Sequence, residues 1–420
     1  MDLADVAVLT GPAGAELIAE AGRGIDADGE IRTLERLGAS HGRAPAAAAV
    51  SQVMLRRRAA GKFGADADLL LFTREGLEQA TRSRVARWRA TELRACLRAA
   101  GLPPTVTDLG CGLGADLIAF ARAGLSATGL ELDPATAALA RANTTALGLA
   151  VAVDCGDATA DGALGSTVTA FVDPARRNAA GRVWSTQGWA PPWPFVRLLL
   201  EGTVVNEASR TPAAAVVKAG PAIPHGLVPP GVAADWVSEG GDVVEACLWS
   251  PALHERAERS HRAVLLRRGA EPRILEGDPS NRAPTGDLAG YLHEPDGAVI
   301  RAGLVGQLAD RIGGHVPAEG IGYLFTEGPE PSPFASTYGV IQELPHRTKP
   351  LRAELRRLRI GTLTIKARGV RIDPDRLRRE LLAGGRHGAG DATLVLTRTS
   401  ARRTVALLVQ RLAGIDPGAQ

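Results

Sequence analysis

Three glycines and a set of acids at the ends of apolar runs are the residues whose types and spacing could do chemistry. The run Asp108-Leu109-Gly110-Cys111-Gly112-Leu113-Gly114 strips side chains from the point where a strand turns into a helix. Gly110 allows the tight turn, and Gly112 and Gly114 let a ligand lie against the main chain. The helix behind them offers unpaired N–H groups. Asp108, at the strand end, is placed to hold an ammonium group, such as that of the methionine part of S-adenosylmethionine (SAM). Asp116 is expected to cap the following helix. About twenty residues on, Glu131 ends a second strand, where a Rossmann-type unit holds ribose hydroxyls. Asp133, ahead of Pro134, fits an N-cap. Asp157 and Ala158 follow a third strand, and the carboxylate can accept from the exocyclic amine of adenine. A lone glycine loop would serve NAD equally; the ordered acids Asp108, Glu131 and Asp157 favour SAM over NAD and over ordinary turn residues.

The acceptor side is read from Phe171-Val172-Asp173-Pro174-Ala175-Arg176-Arg177. It lies at the end of a fourth strand, the rim where open α/β sheets bind ligands. Many amino-methyltransferases place Asp/Asn-Pro-Pro-aromatic here, so that the acid and a following carbonyl aim the lone pair of an amine. Methyl transfer then depends mostly on positioning. Asp173 and Pro174 keep that pattern as the catalytic pair. Ala175 replaces the second proline and Arg176 the aromatic. Arg176 and Arg177 could grip a substrate phosphate or pair with surface acids. Trp184, Trp189 and Trp193 follow, either as a stacking platform or as lid and core-edge packing. His225, His254 and His261 read as structural or solvated. No cysteine has a basic partner in sequence that would suit covalent attack.

The elements that position these residues form an α/β class chain, a Rossmann-like sheet preceded by helices and followed by a smaller α+β module. Residues 1–100 read as an N-terminal helical domain. Thr10-Gly11-Pro12 starts a helix, Pro45 to Ala60 is Ala-rich, and Glu75 to Leu97 carries one helical stripe. Residues 101–270 read as the SAM-binding domain. Strands are expected at 106–108, 127–132, 151–154, 169–173 and 214–218, and helices at 115–123, 134–147 and 195–201. Residues 234–238 and 263–267 are candidate closing strands. Strands alternating with helices imply a parallel sheet covered on both faces. Residues 271–345 read as a linker and the start of the C-terminal region, with a Gly/Pro/Asp/Asn-rich linker or hairpin at 269–290 and one helix at 298–312. Strands are expected at 321–325 and 338–344. The last domain, 346–420, alternates helices (349–358, 374–382) with strands (363–367, 393–397, 405–409), the last two as a hairpin.

Composition bounds the class. A chain of 420 residues suggests two or three domains. Lys and Arg total 49 against 46 Asp and Glu, a net charge of +3 that selects no partner. Lysine is confined to Lys62, Lys218, Lys349 and Lys366, so arginine abundance is a compositional habit. Cys96, Cys111, Cys155 and Cys247 are scattered, without metal-ligand or disulfide-scaffold spacing. No metal is expected. The N-terminus has acid where a signal peptide needs base, and no apolar run reaches the ~18–20 residues of a membrane span. A cytoplasmic protein without membrane association is expected.

Four stretches carry a family resemblance: Leu77-Glu78-Gln79-Ala80-Thr81, the loop from Asp108 to Asp116, Asp173-Pro174-Ala175-Arg176-Arg177, and Ile360-Gly361-Thr362-Leu363-Thr364-Ile365-Lys366-Ala367-Arg368-Gly369-Val370. Together they resemble bacterial class I SAM-dependent methyltransferases with a THUMP-like C-terminal domain, along nearly the whole chain. The Asp-Pro-Ala-Arg-Arg run is the most specific of them. The resemblance implies SAM dependence and, through the THUMP-like module, an RNA partner, tRNA or rRNA. From Glu343 onward roughly seventeen basic residues face about seven acidic ones, as a nucleic-acid footprint would. The expected function is methylation of a nitrogen of an RNA base. Methylation of a protein or small molecule, or SAM and RNA binding without turnover, are the alternatives.

Overall fold

The computed structural model describes residues 1–160, 163–165, 167–176, 188–202, 212–254, 260–383 and 388–412. The chain divides into two compact units, Met1–Ala233 with Cys247–Glu258, and Ala234–Ala246 with Arg259–Gln420.

The first unit opens with helices α1 (Leu3–Thr10), α2 (Gly14–Asp28), α3 (Glu30–His41), α4 (Arg43–Phe63), α5 (Arg74–Gln79) and α6 (Ser83–Ala99). Asp2 and Asp5 cap α1 reciprocally. Pro12 lies in the turn before α2, not in its first turn. The Ala-rich stretch becomes α4, which buries Ala46, Ala49, Val50, Val53, Ala59 and Phe63. The expected single helix from Glu75 to Leu97 is broken between α5 and α6. The Lys62 ammonium takes the carbonyls of Leu77, Glu78 and Ala80 at 2.6, 2.8 and 3.2 Å, which ends α5. The helical core includes Leu113, Ile118 and Leu139, so it packs directly on the back of the glycine loop.

The alternating part follows: β1 (Thr105–Leu109), α7 (Ala115–Arg122), β2 (Ser126–Glu131), α8 (Pro134–Ala146), β3 (Ala152–Cys155) and β4 (Thr169–Val172). Then come β5 (Ala175–Arg176), β6 (Trp189–Ala190), α9 (Trp193–Glu201) and β7 (Ala214–Ala219). The order β3-β2-β1-β4-β7 is parallel throughout, as the strand–helix alternation predicts. β5 and β6 pair antiparallel as a separate ribbon.

β8 (Ala233–Glu239), nearly all of it in the second unit, turns through Gly240 and Gly241, both at positive φ, into β9 (Asp242–Trp249), whose last residues from Cys247 belong to the first unit. β10 (His261–Leu266) runs parallel to β8, and β11 (Arg273–Gly277) returns antiparallel on β10. The segment 269–290, expected as a linker or hairpin, thus supplies the returning strand of a hairpin. A buried bidentate pair, Arg262 on Asp235 at 2.9 and 2.7 Å, locks β10 to β8. After β12 (Tyr291–Pro295), the expected helix 298–312 is split into α10 (Gly297–Ala302) and α11 (Val305–Ile312) by Gly303 at φ 78°. The remaining elements are β13 (Leu324–Thr326), β14 (Ala335–Leu344), α12 (Thr348–Arg357), β15 (Ile360–Ala367), α13 (Pro374–Leu382), β16 (Gly390–Arg398) and β17 (Thr404–Arg411).

They form a sheet of order β13-β12-β14-β17-β16-β15, antiparallel except for β15 with β16. Both faces of its last hairpin are buried. Leu394, Leu396, Ala406 and Leu408 pack with Leu351, Leu355 and Leu381 of α12 and α13. Val395, Val405, Leu407 and Val409 face the opposite way, against Ile321, Tyr323 and Phe325. The sequence periodicity finds that hairpin, and its burial is two-sided.

Candidate active site

The registers of the first unit bring the predicted acids to one edge of one sheet. Leu109 pairs with Leu130 on β2 and with Val172 on β4, and Glu131 pairs with Cys155 on β3. Asp173, Asp108, Glu131 and Asp157 therefore lie at or just past the ends of four neighbouring strands, in the order β4-β1-β2-β3. Between them the glycine loop bends back, and the amides of Gly110 and Cys111 donate to the Leu130 carbonyl at 2.7 and 3.2 Å. Gly110, Gly112 and Gly114 have φ of 90°, 54° and 85°, in the region that L residues enter only at a cost. Among the described residues, a Cβ on Gly110 or Gly112 would meet nothing within 4 Å, so the loop presents bare backbone there. On the other side, a Cβ at Gly129 of β2 would lie 2.9 Å from the Cys111 sulfur, so that glycine lets the loop settle on the sheet.

Glu131 and Asp157 are held by local hydrogen bonds. The two Glu131 oxygens accept from the amides of Gly112 at 2.9 Å and Asp133 at 3.0 Å. Each keeps capacity for a further donor. Asp157 is exposed and accepts from the amide and hydroxyl of Thr159, which hold its carboxyl below the usual range. Ala158 beside it is buried. Asp133 caps α8 through Thr136 as expected, with Pro134 in the first turn.

Asp108 is the most perturbed group. It is 1% exposed, and its Oδ1 has no hydrogen-bond partner among the described residues. Burial, then the charges of Asp116 and Asp173, push its carboxyl well above the normal range; Arg89 opposes them. Asp116 does not cap α7, whose N-cap is Gly114 in the left-handed conformation. Its carboxylate turns inward, accepting from Thr81 at 2.7 Å and from the fully buried Arg89. A guanidinium that deep needs an anion more than the helix end needs a cap. Arg89 also lies over the Phe171 ring of β4, 5.0 Å from its centroid. Behind the loop, buried Asn143 joins the Leu113 carbonyl to both backbone groups of Leu71, at 2.7–3.0 Å. Burial raises the Cys111 thiol far above its usual value, so it is no nucleophile.

On the acceptor side, Asp173 follows β4 directly and Pro174 is buried. Sequence reasoning missed the partner of Asp173: the ammonium of Lys218 on β7 contacts its carboxylate. The available signal was the rarity of lysine. The backbone of Arg176 pairs with Trp189 in the β5–β6 ribbon. Arg177 and Trp184 lie outside the described residues. Trp189 is buried and packs edge-on against Trp193, 5.2 Å between centroids. His261 is buried on the Ala302 carbonyl, and His254 sits beside Cys96.

The residues fit SAM. An orphaned buried carboxylate oxygen suits an ammonium, a bare glycine loop suits an adenosine backbone, and Glu131 can still take hydroxyl donors. Comparisons with known proteins agree. Residues 335–411 match the THUMP domain-like family, and residues 2–59 match a domain of unknown function. Two curated relatives, from Mycobacterium tuberculosis strains CDC 1551 and H37Rv, are both described as uncharacterized S-adenosylmethionine-dependent methyltransferases. Each is 33% identical over 360 residues, covering 84% of this chain and 92% of the relative. The crystal structure of a candidate methyltransferase from Porphyromonas gingivalis W83 superposes with a TM-score of 0.73 at 22% identity, over 94% of this chain and 98% of that one, and so shares the fold. No helix among the described residues is long and apolar enough to cross a membrane. The chain belongs to the S-adenosylmethionine-dependent methyltransferases that carry a THUMP-like domain, and S-adenosylmethionine is its methyl donor.

Proposed function

We propose that the protein methylates a nitrogen of an RNA base, in the cytoplasm. The observation that carries the reading is Asp173-Pro174 at the end of β4, beside the glycine loop, in a chain whose C-terminal domain is THUMP-like. Bound in the loop, the donor supplies an electrophilic methyl on a sulfonium. Asp108 would hold its ammonium, the backbone of Gly110, Gly112 and Gly114 would leave room for it, Glu131 would take the ribose hydroxyls, and Asp157 with Ala158 would receive adenine. Asp173 and the Pro174 carbonyl hold the acceptor nitrogen in line with the methyl. Arg176 and Arg177 serve a substrate phosphate.

The C-terminal domain supplies charge for RNA. Part of its basic surplus is internally paired, as in Arg357 on Glu354, Arg376 on Glu380, Arg378 on Asp375 and Arg403 on Glu343. Arg347, Lys349, Arg371 and Arg402 are exposed and make no ion pair with a described residue. Such cations neutralise phosphates and make affinity fall with salt. Incubation with labelled SAM and total RNA is expected to label RNA, and Asp173→Ala to abolish it. Label in a protein or metabolite instead, or turnover unaffected by Asp173→Ala, would overturn the reading.

A further inference from the structure

The ion pair at the rim of the sheet bears on which nitrogen is methylated, and this inference rests on the RNA-base reading above. β4 and β7 are neighbours, with Val172 opposite Val217. Asp173 and Lys218 are the next residues on each strand, and ammonium and carboxylate meet where β4 abuts the glycine loop. The pair is not sealed: the Asp173 side chain is 36% exposed and that of Lys218 14%. Lys62, the other ammonium in this region, is committed to three carbonyls at the end of α5.

The two acceptor types place opposite demands on such a pair. An exocyclic amine brings only donors to Asp173, so Lys218 competes with it for the carboxylate. It also places a positive charge beside a nitrogen that becomes positive during transfer. A ring N–H next to a carbonyl has no basic lone pair until its proton leaves. The negative charge released then spreads onto the carbonyl oxygen. A carboxylate that takes the proton and an adjacent ammonium that receives the oxygen serve both ends of that group.

We infer that Lys218 is a catalytic residue and that the acceptor is a ring nitrogen flanked by a carbonyl, as in guanine N1 or uracil N3. Asp173 takes the N–H proton while Lys218 holds the carbonyl oxygen. The nitrogen lone pair forms the N–C bond as the C–S bond breaks, and the departing pair discharges the sulfonium. The proton remains on Asp173 and leaves to water after release of product.

The test uses the full-length protein, labelled SAM, and total RNA from the native host lacking this gene, with digestion to nucleosides. Label at a ring nitrogen next to a carbonyl is expected. Label on an exocyclic amine, or on a ring nitrogen of adenine, overturns the inference and leaves the RNA reading standing. No label in RNA overturns both. Lys218→Met is expected to lower kcat by about 10²–10³-fold, the usual effect of losing an oxyanion donor, with the Kd for SAM unchanged as the check on folding. Lys218→Arg, which keeps the charge, should retain more activity than Lys218→Met. A kcat for Lys218→Met within about threefold of the parent overturns the catalytic role.

Discussion

Replacing Asp108 by Asn tests the ammonium assignment most directly. The side chain is 1% exposed, and its Oδ1 lacks a partner among the described residues. Burial and the neighbouring acids Asp116, Asp173 and Glu131 press its carboxyl towards the protonated form, against the pull of Arg89. An incoming ammonium reverses that balance. Truncating one side of a buried, hydrogen-bonded charge pair costs about 2–5 kcal/mol, or roughly 30-fold to several thousandfold in Kd. Calorimetric titration with SAM and with 5′-methylthioadenosine separates this from general damage, because the second ligand lacks the amino-acid end. Asp108→Asn should weaken SAM by that factor and leave methylthioadenosine unchanged. The pH dependence has a definite sign. With the folded pKa raised, the stability due to this group is full below the ordinary carboxylate range and is lost as pH rises through the raised value. SAM affinity runs the other way, tightening through the same window as the carboxylate ionises, while methylthioadenosine stays flat. Equal weakening of both ligands, or SAM binding within about threefold of the parent, would refute the assignment.

Asp116→Ala removes a buried carboxylate that pairs with the fully buried Arg89 and should cost about 3–5 kcal/mol in denaturant unfolding. Arg89→Met combined with Asp116→Leu should recover most of it, and a single-variant loss under about 1 kcal/mol contradicts the reading. Gly114→Ala tests backbone conformation alone, since its Cβ would make ordinary contact with Ala140 at 3.7 Å while φ stays at 85°. A loss of about 1–2 kcal/mol is expected, and an unchanged unfolding midpoint would count against the left-handed requirement. His293 is fully buried between the hydroxyls of Thr326 at 2.7 Å and Thr337 at 3.1 Å, and burial lowers its pKa from 6.5 to about 4. Its contribution is complete above the unfolded value and is lost as pH falls towards the folded one, up to about 3 kcal/mol. Urea unfolding at about pH 7.5 and 4.5 should show a smaller acid penalty in His293→Gln than in the parent protein.

What the sequence made legible was local. β1, α7, β2, α8, β3, β4 and β7 each announce themselves by an apolar run, a glycine or an Asp-Pro cap within a few residues of their ends. The misses depended on distant partners. No element is expected at Tyr291-Leu292-His293-Glu294-Pro295, yet it is a strand, because two threonines from β13 and β14 make the buried histidine tolerable. The break between α5 and α6 contains no Gly or Pro; it is imposed by Lys62, fifteen to eighteen residues earlier. Asp116 sits where a cap belongs, and only Arg89 on α6 explains why it turns away. The strand Asp242–Trp249 hid behind the glycine pair before it, and its buried Glu245 broke the apolar pattern.

The rarity of lysine ties these long-range facts to chemistry. With four lysines among 49 basic residues, this chain uses arginine for nearly every surface charge; Lys349 is exposed, and the other three are half-buried. A lysine retained at a half-buried position marks a place where a compact, three-donor head is needed instead of a planar fork. Lys62 converges on three carbonyls that no guanidinium could meet with one nitrogen. Lys366 sits 2.6 Å from Glu294 and 5.9 Å from the centre of the Tyr338 ring. Lys218 is the third, against Asp173. An arginine there could grip both carboxylate oxygens in parallel bonds and hold Asp173 away from an incoming N–H. An ammonium holds it by a single point contact that a carbonyl oxygen can share. A pair that must open during each turnover is better built with lysine, which is why Lys218→Arg is expected to fall short of the parent enzyme even though it keeps the charge.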